Sequence, residues 1–245
     1  MNRILPRLPL ISTLCGFLAL VHGSANAATL VNEDFGYADG NLVGNGGWTN
    51  VSGSGSFITV SGGAATAAHG SGSREDAGIL FADVNTGVLL ASFDLTVNDD
   101  APIAGTDFEY FAHFSSSGST STFRSRVDVV AGAAGDYSLG ISTGTATAQA
   151  TLPVDFTFGN PVSIQLSYDF GTSIASLTAG GNTINGTASV TGSLNTFHIR
   201  QSDSTSDESF TIDNLVVTGT PIPEPSTGLL GLIGTLAMVA RRCRK

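Results

Sequence analysis

Between residues 89 and 218 the chain alternates apolar and polar side chains with a period of two. Leu89, Ala91, Phe93, Leu95 and Val97 share one phase, while Ser92, Asp94 and Thr96 take the other. The same period runs through Phe108, Tyr110, Ala112 and Phe114, and through Phe123, Ser125, Val127 and Val129. It returns in Tyr137, Leu139 and Ile141, and in Ile164, Leu166 and Tyr168. Successive side chains of a strand point to opposite faces, so each run predicts a strand with one buried face. Residues 115–122, rich in Ser, Gly and Thr, predict a hairpin loop between the second and third runs. Residues 169–172 and 180–182 predict turns that carry the 162–168 strand into 173–178 and then into 182–187. Phe197 and Ile199 mark another short strand. In the closing run the apolar phase changes from Phe210 and Ile212 to Leu215 and Val217, which predicts a bulge at Asp213-Asn214. About twelve to fourteen strands without a helical crossover predict an all-β chain, an antiparallel two-sheet β-sandwich of jelly-roll type.

The two ends follow other rules. Arg3 and Arg7 precede an apolar stretch over 8–21, and Ala25-Asn26-Ala27 supplies small residues before Ala28. That is the pattern of a Sec signal peptide over 1–27, cut before Ala28 by signal peptidase. Leu14 stands where a lipobox before Cys15 would need a small residue, and no twin-arginine pair is present. The β-sandwich domain is then expected over 28–219, followed by a distinct segment over 220–245. Pro221, Pro223 and Pro225 hold the chain extended. An apolar run over 228–240 follows, and Arg241, Arg242, Arg244 and Lys245 form a cationic stop on the cytoplasmic side. Thirteen helical residues reach roughly 20 Å against a hydrocarbon core of about 30 Å, which suits a temporary membrane stop.

Pro223-Glu224-Pro225-Ser226, the Gly-containing apolar helix and the Arg-rich terminus together resemble the PEP-CTERM sorting signal of Gram-negative bacteria. The resemblance implies a transient inner-membrane intermediate and an exosortase partner that cuts near the Pro-Glu-Pro motif. It implies the cell surface or extracellular matrix as destination. It covers about 25 residues and addresses where the protein goes, not what it does there.

Removing both ends changes the balance of charge. Cys15 and Cys243 leave with them, so no disulfide is available to the domain. Only Arg74, Arg124, Arg126 and Arg200 remain, and four cations against nineteen carboxylates give a net charge of −15 over 28–222. Such a surface does not attract nucleic acid or anionic lipid by its overall field.

Asn32-Glu33-Asp34-Phe35, Tyr37-Ala38-Asp39-Gly40 and Gly46-Gly47-Trp48 resemble the opening of concanavalin A-like lectin/glucanase jelly rolls. Phe123-Arg124-Ser125-Arg126-Val127, Leu166-Ser167-Tyr168-Asp169 and Ile212-Asp213-Asn214-Leu215-Val216-Val217 extend the likeness across most of 29–218. It implies the fold more than an activity. The Glu-x-Asp-x-x-Glu carboxylates of glucanases on this fold are absent, Asp107-Phe108-Glu109 being the nearest approach. Related jelly rolls also pin their first and last strands with a structural Ca²⁺, which makes Asn32, Glu33, Asp34 and Asp213 candidate ligands. Asp213-Asn214 has the alternative of simply building the bulge. Trp48, the only tryptophan, is the first candidate for a sugar-stacking platform, with Tyr37 next and Tyr110 and Tyr137 behind; a place in the core is its alternative. His69, His113 and His198 show no metal-ligand spacing, and His113 and His198 fall on polar strand phases, where solvation is expected. The reading that follows is an exported, non-catalytic, structural or exopolysaccharide-binding component of the bacterial envelope or matrix. A divergent glycan hydrolase or lyase on the same fold is the alternative.

Overall fold

The computed structural model describes residues 27–222, apart from 57, 70–73, 100–101, 104–107, 117–122, 145–146, 188–191 and 201–207. The expected signal peptide, up to residue 26, and the expected sorting segment from Pro223 onward, with Arg241, Arg242, Arg244 and Lys245, lie outside the described residues. No helix among the described residues is long and apolar enough to cross a membrane.

The described chain contains strands β1 (Ala28–Glu33), β2 (Gly40–Asn41), β3 (Trp48–Ser52), β4 (Ile58–Ser61), β5 (Ala64–Ala68) and β6 (Asp76–Val84). They are followed by β7 (Val88–Asn98), β8 (Phe108–Ser115), β9 (Arg124–Val130), β10 (Ser138–Ser142) and β11 (Ala150–Thr151). The last five are β12 (Val162–Asp169), β13 (Ile174–Ala179), β14 (Asn182–Thr187), β15 (Leu194–Ile199) and β16 (Ser209–Gly219). Nine of them form one antiparallel sheet in the order β14-β13-β12-β7-β16-β5-β4-β2, with β1 also paired to β16. The other seven form a second sheet, β11-β10-β9-β8-β15-β6-β3, whose central strand is β8.

The alternation in β7 works as its sequence predicts: Leu89, Ala91, Phe93, Leu95 and Val97 are all buried between the sheets. Phe93 meets Phe111 and Phe197 of the opposite sheet edge-on at centroid distances of 6.3 and 5.9 Å, and Phe111 stacks on Phe210 at 4.9 Å. Each such ring withdrawn from water contributes about 1.5–3 kcal/mol before its entropy cost, which accounts for cohesion without disulfides.

The predicted bulge is present. The β16–β7 register shifts between Asp213 and Val216, and Asn214 has φ +54°. Asparagine tolerates this left-handed region better than most residues. The bulge also separates two pairings, because residues 209–212 of β16 bond β5 while 215–219 bond β1.

Two further bulges overturn the expected phase of β8 and β9. The β8–β9 register shifts between Tyr110 and Ala112, and again between Ala112 and Phe114. The first shift gives β8 one extra residue; the second gives β9 one, at Ser125 with φ +48°. Phe111 consequently turns into the core, whereas Tyr110 points to the outer face of the sheet. Ser125 turns inward and its hydroxyl donates to the Ser167 carbonyl at 2.8 Å, while Phe123 lies outside against Tyr110. Simple alternation cannot anticipate this, because an inserted residue inverts every later side chain.

Candidate functional site

The residues expected to bind metal or sugar near the start of the chain are instead tied to one another. Glu33, at the end of β1, points inward and is 6% exposed. Its Oε1 accepts the Phe35 N–H at 2.7 Å. Its Oε2 accepts the Tyr37 hydroxyl at 2.6 Å and the Trp48 indole N–H at 3.0 Å. Burial first, and then the Glu33 carboxylate, push the Tyr37 hydroxyl up to about 12, so it remains a donor. Trp48 is 1% exposed and stacks on Phe35 at 6.0 Å, which leaves no face for a pyranose; its place is the core. Nor do the calcium candidates converge. Asp34 is exposed and accepts the Gly36 N–H at 3.1 Å, whereas Asp213 accepts the Asn214 N–H at 2.7 Å within the bulge. The first and last strands do lie side by side, with Glu33 opposite Leu215, but backbone pairing joins them. Among the described residues no three His, Cys, Asp or Glu side chains gather to hold a metal ion.

The concentration of chemistry lies elsewhere, on the outer face of the seven-stranded sheet, at its middle. Phe197 and Ile199 of β15 face the core, so His198 between them faces out, as does His113 of β8 opposite it. The two rings stack at 4.6 Å with planes 14° apart. Phe123 closes over His113 edge-on at 4.8 Å and packs on Tyr110 at 5.6 Å. Arg126 from β9 and Arg200, which follows β15, flank that aromatic pair. The Arg126 guanidinium lies 4.4 Å from the Tyr110 ring centre and 5.5 Å from that of Phe123. For Arg200 the corresponding distances are 5.7 and 4.9 Å. Each cation is paired: Arg126 Nε donates to Asp128 Oδ1 at 2.8 Å, and Arg200 Nη2 contacts Asp76 Oδ2 at 2.9 Å. Ser52 also holds Asp76 through a hydrogen bond. Gly78 beside His198 permits close packing there, since a Cβ would meet the methyl groups of Val51 and Thr196 at 2.7 and 3.1 Å.

The histidines are therefore buried, not solvated as their polar phase suggests; His113 is 1% and His198 2% exposed. Burial is the main reason that protonation is disfavoured at both. It holds His113 well below the usual imidazole range, helped by His198, Arg200 and Arg126. His198 is lowered to about 4 by burial and then by Arg200. Both rings are neutral near pH 7. Asp128 moves the other way, to about 6, because burial outweighs the attraction of Arg126 and the Ser142 hydroxyl. Perturbed groups gathered on one face in this manner are a mark of functional sites. The layout has a buried polar floor of His113, His198 and Asp128. Above it lies a rim of partly exposed Tyr110, Phe123 and Arg200.

Geometry limits what this face can catalyse. Asp76 and Asp128 sit on strands three steps apart, roughly 14 Å at about 4.8 Å per step. Glycoside hydrolysis needs two carboxyl groups about 5–5.5 or 6.5–9.5 Å apart. Glu109 cannot serve, because it turns into the core and meets His69 Nδ1 at 3.0 Å. The Ser115 hydroxyl lies 2.6 Å from His198 Nε2, a nucleophile-and-base pair in outline. Its third part is missing, because His198 Nδ1 has no hydrogen-bond partner among the described residues to orient the ring. A histidine lowered to about 4 is also a weak general base at neutral pH. The arrangement gathers stacked rings, guanidiniums and buried polar groups on one face. Its one signal in the sequence is that Arg126 and Arg200 are two of only four cations in the domain.

No protein-family model matches the sequence, and no curated protein matches it. Solved structures do match the fold. The chain resembles the basic winged bean lectin crystallised with Tn-antigen, with a TM-score of 0.53 and 10% identity, covering 79% of this chain and 98% of that one. Peanut lectin gives a TM-score of 0.51 and 15% identity over 82% of this chain and 100% of its own. A sialidase gives 0.53 and 12% identity over 80% of this chain, which spans only 19% of the sialidase's length. At such identities the likeness establishes the architecture: an all-β, two-sheet sandwich of the lectin-like, concanavalin A type.

Proposed function

We propose that this chain is a non-catalytic glycan-binding protein whose recognition surface is the outer face of its seven-stranded sheet, exported and displayed at the bacterial envelope or matrix. The observation that carries the reading is the cluster of Tyr110 and Phe123 flanked by Arg126 and Arg200, with both guanidiniums within 6 Å of both rings. Partly exposed aromatic rings offer CH–π contact to a sugar face, and the surrounding polar groups offer hydrogen bonds to its hydroxyls. The lectin-like fold supports the reading as architecture. Export rests on the signal-peptide pattern over 1–27, and surface sorting on the Pro223-Glu224-Pro225-Ser226 segment and the basic end.

A glycan array probed with the full-length protein in mild detergent tests the binding function. Tyr110→Ala is expected to remove binding while the Trp48 fluorescence spectrum, which reports the core, stays unchanged. Binding to no glycan, or binding untouched by Tyr110→Ala, overturns the assignment to this face. Release of reducing ends from a bound polysaccharide, abolished by a single carboxylate substitution, would instead establish the hydrolase alternative.

A further inference from the structure

We propose that residues 223–225 dock on the free edge of β6 beside residues 80–82, so that the Pro-Glu-Pro segment closes the seven-stranded sheet as an added strand. The described chain already begins that pairing. After Gly219 it leaves the nine-stranded sheet, and Pro221 pairs antiparallel with Val84 of β6 in the other sheet. The Ile222 N–H then donates to the Asp83 carbonyl at 2.8 Å. Val84 pairs with Leu194 of β15 on its other flank, so Pro221 and Ile222 lie on the flank that β3 occupies further along. Ile222 is the last described residue.

β3 covers that flank of β6 only between Asp76 and Ile79, opposite Ser52 and Trp48. Residues 80–82 therefore stand between the Trp48 pairing and the Ile222 pairing, with no strand on this flank among the described residues. Against β15 the same stretch bulges. Leu194 pairs with Val84 and Thr196 with Leu80, which sets Asn195 alone against residues 81–83. A bulge leaves the backbone groups of its extra residues out of the ladder, to be satisfied by water or by a strand on the other flank. The gap is three residues long, and residues 223–225 are the next three of the chain. Apolar side chains mark its two ends, Leu80 at 57% and Ile222 at 41% exposed, and pyrrolidine rings would cover them with apolar surface.

The spacing of the prolines suits an edge strand. N–H groups of an extended chain point to alternate edges, so a strand that donates from residue 222 donates next from residue 224. Residues 221, 223 and 225 then turn their nitrogens away from β6, and all three are proline. Pro221 already stands in this way, opposite Val84 with no N–H to lose. Proline is tolerated in edge strands for this reason, when the position of its missing N–H faces solvent. Glu224 keeps the N–H that β6 can accept, and the outer edge presents no donor over 221–225 to a further strand. On the sorting reading, the motif is then held against the domain, and an enzyme that takes it as an extended strand has to displace it from β6 first. The docking itself does not depend on that reading.

Amide exchange tests the docking on the full-length protein in mild detergent, labelled with ¹⁵N-glutamate and ¹⁵N-isoleucine. Glu224 is assigned by the signal that Glu224→Gln removes, and Ile222, bonded to Asp83, serves as the reference. The Glu224 N–H is expected to exchange at least about tenfold more slowly than in a free peptide of residues 219–227. Ile222→Pro removes the donor to Asp83 at an exposed side chain. Glu224 should then exchange at the peptide rate while Trp48 fluorescence stays unchanged. Exchange of Glu224 at the peptide rate in the unaltered protein overturns the docking. So does protection that survives Ile222→Pro, because it would come from detergent around residues 228–240 and not from β6. Neither result bears on processing at the motif, which the C-terminus of the surface-exposed protein decides separately.

Discussion

Replacing His198 by glutamine turns the buried histidine pair into a measurable pH effect. His198 has an ordinary value of 6.5 and is lowered to about 4 in the folded chain. Between those two values the unfolded chain takes up a proton that the folded chain refuses. Stability therefore falls as pH drops through that window and is fully present above it. Carried from pH 7 to pH 5, this one site costs about 2 kcal/mol. Asp128 acts in the opposite sense. Its folded value is raised to about 6 from 3.8, so the folded chain binds the extra proton as pH falls and gains about 1 kcal/mol over the same interval. His113 adds to the loss, and because burial is the main cause of its shift it continues to do so in the variant. The wild-type slope is thus a sum of opposing terms, but the difference between the two proteins isolates His198. Glutamine keeps a hydrogen-bonding side chain near Ser115 and cannot titrate. Urea unfolding followed by Trp48 fluorescence at pH 7, 6 and 5 measures both proteins. The stability difference should shift by about 2 kcal/mol in favour of His198→Gln between pH 7 and pH 5. A difference that stays constant across pH would refute a neutral, buried His198 and, with it, the polar floor of the site.

Other outcomes follow from the same contacts. Glu33→Ala leaves the Phe35 N–H, the Tyr37 hydroxyl and the Trp48 indole N–H without their shared acceptor, so a loss of about 3 kcal/mol in urea unfolding and a shifted Trp48 emission are expected. A variant within about 1 kcal/mol of wild type would show that those bonds are not maintained in solution. At Asn214, with φ +54°, Asn214→Gly should be more stable than Asn214→Ala by about 1 kcal/mol, since alanine alone is strained there; equal stabilities would argue against the left-handed bulge. On the proposed reading of export and sorting, replacing Pro223, Glu224 and Pro225 with alanines should leave export intact and cause the full-length form to accumulate in the inner membrane. Mass spectrometry of the surface-exposed wild-type protein decides between the readings, because a chain still ending at Lys245 would mean no processing at that motif.

The architecture was legible in the chain because burial on one face of a strand imposes a period of two, and β7, β12 and the bulge of β16 follow it residue by residue. The site was not legible, for two physical reasons. First, the bulges at Phe111 and Ser125 shift the phase of the two central strands, so Tyr110 reads as core but lies on the outer face, and Phe111 does the reverse. An inserted residue has no signature in an alternating pattern except the disruption it causes. Second, residues far apart in sequence meet only through the order of strands in the sheet. β15 lies between β8 and β6, which brings His198 and Arg200 beside His113, Tyr110 and Asp76. The same limit applies to Glu33 and Trp48: their residue types suit a metal and a sugar, but the fold directs the carboxylate onto the indole and buries both. Side-chain chemistry and periodicity are local properties and can be read along the chain. Which partner satisfies a polar group, and whether water reaches it, depends on pairings between distant strands, and those exist only in the folded molecule.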